Sequence, residues 1–450
     1  MTEPYLLAVI IAGMLVCGLA ASSIRSKMFD PLSPLSVVAF CIVMGYLIPI
    51  RAFIAGEDYF STIWRVQFAD FGSALSSALK SVGLAVAAFS VAYGSTQRRR
   101  GSDYTANLIR FQWSRRRLFV LSSMMTTTAI VMYVAGVSRV GGFTAIMDGL
   151  NNRTRLFQGN NIFFLPTVSM LAVSLTWYCY YATHSRRPVI LYWVYVLGSI
   201  LLAATLANRA TIAVFVMSML VLHHRLVRPI RLAHACAVAA LLLVAIALYG
   251  VFAREYLVLG YISSIGGRES GVRELSEVVL RDIDGNFAQL QVLTAIQDAS
   301  RSELPLQMGR TFGATLTLLV PSALWQAKPL TAAGVVTLNL WPAKWLYEGT
   351  TVPPGLIGEL FLNFANAGVV VGMLVVGRAY GIVARRVQRS TVSPKDVLVY
   401  AISVGLLPHL IRGETGGPFV LMFMLVVPAL ILVYWSVRPL PVEIGVTGRP

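Results

Sequence analysis

The sequence predicts an all-α polytopic integral membrane protein, with about eleven transmembrane helices and one large, partly helical loop on the outer side. Three observations carry that prediction. Hydrophobic residues make up 56% of the 450 residues. Charged residues are only 13%, about half the fraction of a soluble domain. Apolar runs recur at lengths near the roughly 20 residues a helix needs to cross a bilayer, and the short loops on alternate sides hold most of the Arg and Lys.

The formal charge of +17 would suit a nucleic-acid face if it were gathered in one place. It is instead divided among short cytoplasmic loops, which argues against nucleic acid and points to membrane lipid as the partner. Cys17, Cys41, Cys179 and Cys236 lie in or at the ends of apolar runs, with no metal-type or paired spacing, and read as small buried hydrophobes. His184, His223, His224 and His234 fall in basic turns and read as surface residues. His409 differs, lying near the end of a span three residues before Arg412, and is a candidate site residue set against a packing role.

In chain order, the first span covers residues 4–21. Its start, MTEPY, has no basic n-region, so the expectation is an uncleaved helix with its N-terminus outside. Arg25 and Lys27 hold the next turn inside; the second span ends near Ile50 and the third near Gly94. Arg98, Arg99, Arg100, Arg110, Arg115, Arg116 and Arg117 then fix a loop in the cytoplasm. The fourth span (118–137) opens into an outer loop with Arg139, Arg153 and Arg155 against Asp148. Arg153 and Arg155 suit bidentate bonds to phosphate or sugar hydroxyls, or else contact with lipid headgroups.

The fifth span (162–183) is followed by a sixth and a seventh that form a hairpin about Asn208 and Arg209. No hydrophilic loop separates those two, so Arg209 stands at a helix N-terminus near headgroup level, where an anion would bind or the side chain would snorkel. Arg225, Arg228 and Arg231 anchor the next inner loop, and the eighth span (233–252) closes a first region, 1–253. The outer segment 254–352 carries eight Arg or Lys and nine Asp or Glu, so it is close to neutral. A helical pattern over 273–296 and a short apolar helix within 304–324, on or dipping into the membrane, are expected there. The last region, 353–450, holds the ninth, tenth and eleventh spans (the last at 417–437) and an inner C-terminus. The ninth begins after Pro353 and Pro354, which suit a first helical turn. It puts Glu359 and Asn363 one turn apart on one face of a continuous helix from Gly355 to Arg378. A carboxylate in a span is either a functional group or a headgroup-level charge that offsets the helix dipole.

The run VPSALWQAKP followed by TTVPPGLIGELFLNFANAG, within residues 319–368, resembles the bacterial O-antigen (Wzy-type) polymerases. These have an aromatic-Pro-Lys-Pro loop, a Pro-Pro-Gly-x-Ile-Gly-Glu stretch and an Asn-Phe-x-x-x-Gly helix. ANRATIAVF at 207–215 is similar to the family's Arg-bearing helix start, and RGETGGPF at 412–419 to its late periplasmic Arg motif. The chain departs from the pattern at Ala365, where the family usually has a second aromatic or a nearby glycine. The resemblance implies a multi-pass protein of the bacterial inner membrane with its active site facing the periplasm. It also implies transfer of glycan from an undecaprenyl-pyrophosphate donor to the terminal hydroxyl of a second lipid-linked repeat unit. A chain-length regulator and a flippase would be its partners.

No Gly-rich phosphate loop with a Lys occurs, and no His, Cys or Asp cluster has metal-ligand spacing, so neither a metal nor any other cofactor is expected. Asp282 and Asp284 in RDIDGN read as a turn. What remains is outer-face cations with carboxylates near them. Arg209 and Arg412 are candidates for the leaving pyrophosphate, with Arg254, Lys328 and Arg310 as helpers. Glu359 is the first choice for general base or acceptor orientation and Glu414 the second, unless Glu414 only holds Arg412. Asn363 and His409 complete the substrate-binding set. Two other readings share the topology: an O-antigen ligase transferring glycan to the lipid A core, and a transporter of lipid-linked glycan.

Overall fold

The computed structural model describes residues 2–26, 29–50, 70–97, 111–148, 160–184, 190–206, 209–251, 287–300, 303–320, 327–388 and 392–439, with Phe68 and Trp325. Its first half runs α1 (Thr2–Ser26), α2 (Pro34–Ile42, continued by a π turn over Val43–Leu47), α3 (Phe71–Thr96), β1 (Phe111–Trp113), α4 (Arg115–Val140) and α5 (Gly142–Asp148). Then come α6 (Asn161–His184), α7 (Ile190–Thr205), α8 (Arg209–Leu226) and α9 (Leu232–Val251). The second half has α10 (Gln289–Ala299), α11 (Arg310–Thr317), α12 (Ala332–Leu340), α13 (Gly355–Arg386), α14 (Pro394–Arg412), α15 (Gly416–Ser436) and β2 (Val437–Pro439).

Eight of these helices, α1, α3, α4, α6, α8, α13, α14 and α15, are long and apolar enough to cross a membrane. Three shorter apolar helices, Pro34–Leu47, Tyr192–Thr205 and Leu232–Leu241, lie where the second, sixth and eighth spans were expected. The chain is an all-α polytopic membrane protein, and among the described residues eight helices reach spanning length. Of the expected outer helix over 273–296, residues 273–286 lie outside the described residues, and α10 supplies the rest.

Among the described residues most of the arginines, Arg25, Arg115–Arg117, Arg225, Arg228, Arg231, Arg385 and Arg386 among them, gather at one end of the bundle. There the Arg25 guanidinium donates to Gly94 O, Gln388 Nε2 donates to Gln97 Oε1 (2.7 Å), and Ser114 N donates to Ser436 O (2.7 Å). The antiparallel β1–β2 ribbon pairs Trp113 with Val437 and ties the start of α4 to the end of α15. His224 corrects an expectation at this end. It is 2% exposed, its Nε2 lies 3.2 Å from Asp30 Oδ1, and its Nδ1 accepts from Ile230 N (2.9 Å). It is a buried connector rather than a surface residue, and its partner Asp30 stands far away in sequence.

Two helix pairs set the geometry of the other end. The first is α3 with α13, which run parallel in a fixed register. Ser81 bonds Asn366 (2.6 Å), and a Cβ on Gly381 would strike Thr96, so the offset is 366 − 81 = 381 − 96 = 285. The second is α8 with α14, which run antiparallel. Arg225 Nη2 donates to Tyr400 Oη (3.0 Å), and a Cβ on Gly405 would lie 2.8 Å from Val214 O and 3.0 Å from Ser218 N. Gly405 therefore sits opposite position 216, and seven residues further along each helix Arg412 comes level with Arg209 (405 + 7, 216 − 7).

The expected continuous helix from Gly355 is broken. Phe364 (φ −141, ψ 24) and Ala365 (φ 52, ψ −148) leave the helical region. Tyr380 Oη donates to Ser403 O (3.0 Å), which sets Ile411 opposite position 372, since 380 − (411 − 403) = 372. A straight α13 would carry Gly355 another 17 residues (372 − 355), or about 25 Å, past Ile411 at 1.5 Å per residue. Instead a Cβ on Gly355 would lie 3.0 Å from Ile411 O. Residues 355–363 therefore fold back over the helix ends. Pro354 caps this segment and Gly355 takes φ +71, so the proline pair precedes the first turn instead of forming it.

Candidate functional site

Four segments converge at the end opposite the arginine loops: the folded-back residues 355–363, the turn 413–415 between α14 and α15, helix α11, and the start of α12. Glu359 is the centre of this junction and is 1% exposed. Its Oε1 accepts from Thr311 Oγ1 (3.1 Å) and Thr415 Oγ1 (2.9 Å), and its Oε2 accepts from Thr415 N (2.6 Å). Thr315 Oγ1 lies 3.1 Å from Thr415 Oγ1 and extends the hydroxyl cluster. Among the described residues no cation is paired with the Glu359 carboxylate.

Asn363 lies one turn on, as the sequence spacing predicts, and is fully buried. Its Nδ2 donates to Thr311 Oγ1 (2.7 Å) and to Glu359 O (2.8 Å), and its Oδ1 accepts from Gly309 N (2.9 Å). The helix break frees carbonyls that a continuous helix would have satisfied. Leu362 O accepts from Gln307 N (2.9 Å) and Asn363 O from Met308 N (3.1 Å). The loop before α11 therefore caps the half-helix, and Asn363 spends its amide on protein instead of facing an open cleft.

Glu414 has a different setting. It is half-buried, and its Oε2 accepts from Ala333 N (2.6 Å) in the first turn of α12, with a further bond from Thr331. Burial holds its pKa above the usual carboxylate range, against the opposing pull of those two bonds. Arg412, two residues earlier, is half-buried at the C-terminus of α14, where a cation complements the helix dipole. Arg209 is half-buried at the first position of α8 and level with Arg412. His409 is also half-buried, and its ring packs beside the first turn of α15, where a Cβ on Gly417 would lie 3.1 Å from Nε2.

The other expected residues divide. Arg310 is exposed at the head of α11, next to Thr311. Lys328 is half-buried, its ammonium donates to Val320 O, and burial lowers its pKa. Arg153, Arg155 and Arg254 lie outside the described residues.

No family model, characterised protein or solved structure matches the chain. The resemblance to the polymerases therefore rests on the motif residues themselves. Among the described residues no three His, Cys, Asp or Glu side chains converge as a metal-ion ligand set.

Sequence reasoning missed the three threonines. Thr311 and Thr315, four apart in RTFGAT, share one face of α11, and that spacing was a readable signal. Thr415 gave none, because its role depends on a contact with Glu359 across 56 residues. The resulting arrangement has one carboxylate fully occupied by hydroxyls and a backbone N–H, and a second that is half-open. Two arginines stand at the same level. Chemically it suits an anionic leaving group and an acceptor that must give up a proton.

Proposed function

We propose that this chain is a glycosyltransferase of the bacterial inner membrane that joins undecaprenyl-pyrophosphate-linked repeat units into a surface polysaccharide at the periplasmic face. The observation that supports it is the level register of Arg209 and Arg412 beside the half-buried Glu414, at the end facing away from the basic loops. By the positive-inside bias that end is the periplasmic one.

In this reading the terminal sugar hydroxyl of one repeat unit attacks C1 of the donor sugar. The bond from C1 to the pyrophosphate oxygen breaks, and the electron pair leaves with undecaprenyl pyrophosphate. Guanidinium groups of Arg209 and Arg412 stabilise the charge that develops on the leaving oxygens. Glu414 takes the hydroxyl proton: it is the more open carboxylate, and its raised pKa brings it nearer to working pH. Glu359 acts through Thr415, holding the turn that carries Arg412 and Glu414. Its enclosure makes it a positioning residue in preference to a base.

One observation favours transport: α13 is discontinuous, as helices at transporter midplanes often are. Against that reading, the freed carbonyls of Leu362 and Asn363 are already bonded to Gln307 N and Met308 N, which leaves them poorly suited to an ion. The test is to incubate purified protein with a synthetic lipid-linked repeat unit and read product size on a gel. A ladder of multiples supports a polymerase. Transfer only when lipid A core is supplied identifies a ligase. Neither product, with movement of the lipid-linked glycan across liposomes, identifies a transporter.

A further inference from the structure

Three helices measure the same distance from the basic end. Glu3 to Arg25 of α1 spans about 33 Å, and both residues 366–386 of α13 and Gly416–Ser436 of α15 span about 30 Å, at 1.5 Å per residue. All three match a hydrocarbon core of about 30 Å. The far ends of α1 and α13 also coincide. Lys80 pairs with Glu3 (2.9 Å) as an exposed ion pair, and the α3–α13 offset of 285 sets Lys80 level with Ala365, at the break. The Glu3–Lys80 pair and the break thus stand at one end of that thickness.

Helix α11 is tied to the break at its start and to the head of α15 at its end. At its start the Phe312 and Phe364 rings stack with centroids 6.5 Å apart; at its end Leu318 Cδ1 would lie 2.8 Å from a Cβ on Gly416. Its inner face buries Thr311, Ala314 and Thr315 against the Glu359 junction. The opposite side is open and apolar: Leu316 is 64% exposed, Met308 beside it 69% and Phe364 42%, with Arg310 at the rim.

We propose that this open side is seated in the bilayer interface, with acyl chains against Leu316, Met308 and Phe364 and a lipid phosphate on Arg310. An apolar face with one arginine at headgroup level is what an in-plane helix presents to lipid. One short helix then has lipid on one side and the Glu359 hydroxyl cluster on the other, and so separates the junction from the leaflet. The assignment goes beyond the catalytic reading and holds whatever reaction the site performs.

The test uses full-length protein in liposomes containing a phosphatidylcholine with a diazirine near the ester end of one acyl chain. Photolysis and peptide mapping follow, with Val9 and Val16 on the lipid-facing side of α1 as references. The expected result is incorporation across residues 306–319 comparable to that at Val9. A parallel hydroxyl-radical footprint reports water. Strong oxidation of Met308 without lipid label would show an aqueous surface and overturn the proposal. Neither label would show a covering protein, such as a second copy of the chain, and overturn it equally.

Discussion

Two enclosed carboxylates stand at opposite ends of this bundle, and their partners differ in kind. Asp30, at the basic end, accepts from Arg225 (2.5 Å), His224 Nε2 (3.2 Å) and Leu32 N (3.1 Å). Glu359, at the other end, accepts from hydroxyls and a backbone N–H, with no cation among its partners in the described residues. A buried charge paired with a buried guanidinium is neutralised where it stands and serves the scaffold. Arg225 also bonds Tyr400, so the Asp30 cluster fastens α8 to α14 and sets the register that brings Arg209 level with Arg412. Glu359 fastens the turn that follows Arg412, through the Thr415 N–H and hydroxyl. In the proposed reading one end fixes the geometry and the other uses it.

Substitutions should separate the two ends. The largest effect is expected at Glu414. Glu414→Gln keeps an acceptor for Ala333 N but removes the base, so turnover should fall by about 10²–10⁴-fold with unfolding little changed. Because burial raises the Glu414 pKa, wild-type activity should climb with pH through a value above the usual carboxylate range, and the variant should lack that limb. The stability sign is the reverse. With its folded pKa raised, the residue contributes most in acid, and that contribution is lost as pH rises through the folded value. Urea or thermal unfolding against pH checks it.

Next comes Asp30→Ala, which strands the buried Arg225. Unfolding free energy should drop by about 3–5 kcal/mol, while turnover per folded molecule holds. A full loss of turnover in correctly folded protein would make the basic end part of the reaction and break the comparison. Thr415→Val deletes one hydroxyl bond to Glu359, worth about 1 kcal/mol, so turnover should fall by several-fold and Thr415→Ser should restore it. Rescue by serine is the outcome a mere packing role would not give. The smallest effect is expected at Ala365, held at φ 52 and ψ −148, a region open chiefly to glycine. Ala365→Gly should relieve about 1–3 kcal/mol of strain and lose part of that to chain entropy, for a small net rise in melting temperature.

The polytopic helical character was legible in the sequence, with eight of the eleven expected spans reaching full length among the described residues, because bilayer thickness imposes a length and a composition that survive without tertiary information. The Glu359–Asn363 pair was legible for a similar local reason: four residues make one turn. The break in α13 was not. Phe364 and Ala365 carry no proline or glycine signal, and the bend depends on capping by Gln307 and Met308, more than fifty residues earlier. Position 365 is nonetheless where the chain departs from the polymerase pattern. His224 was misread because its neighbours in sequence are basic, while its partner Asp30 arrives from the turn before α2. Local signals gave the elements; the partners of each polar group came from contacts between them.

The central claim is that the two level arginines hold the leaving group. The direct measurement is turnover per folded molecule for Arg209→Ala and Arg412→Ala with a lipid-linked repeat unit, alongside their Lys counterparts. The account predicts losses of about 10²-fold or more in the Ala variants, with most activity also gone in the Lys variants because a point charge lacks the bidentate fork. Full activity in both Ala variants, at normal expression and melting temperature, would contradict it.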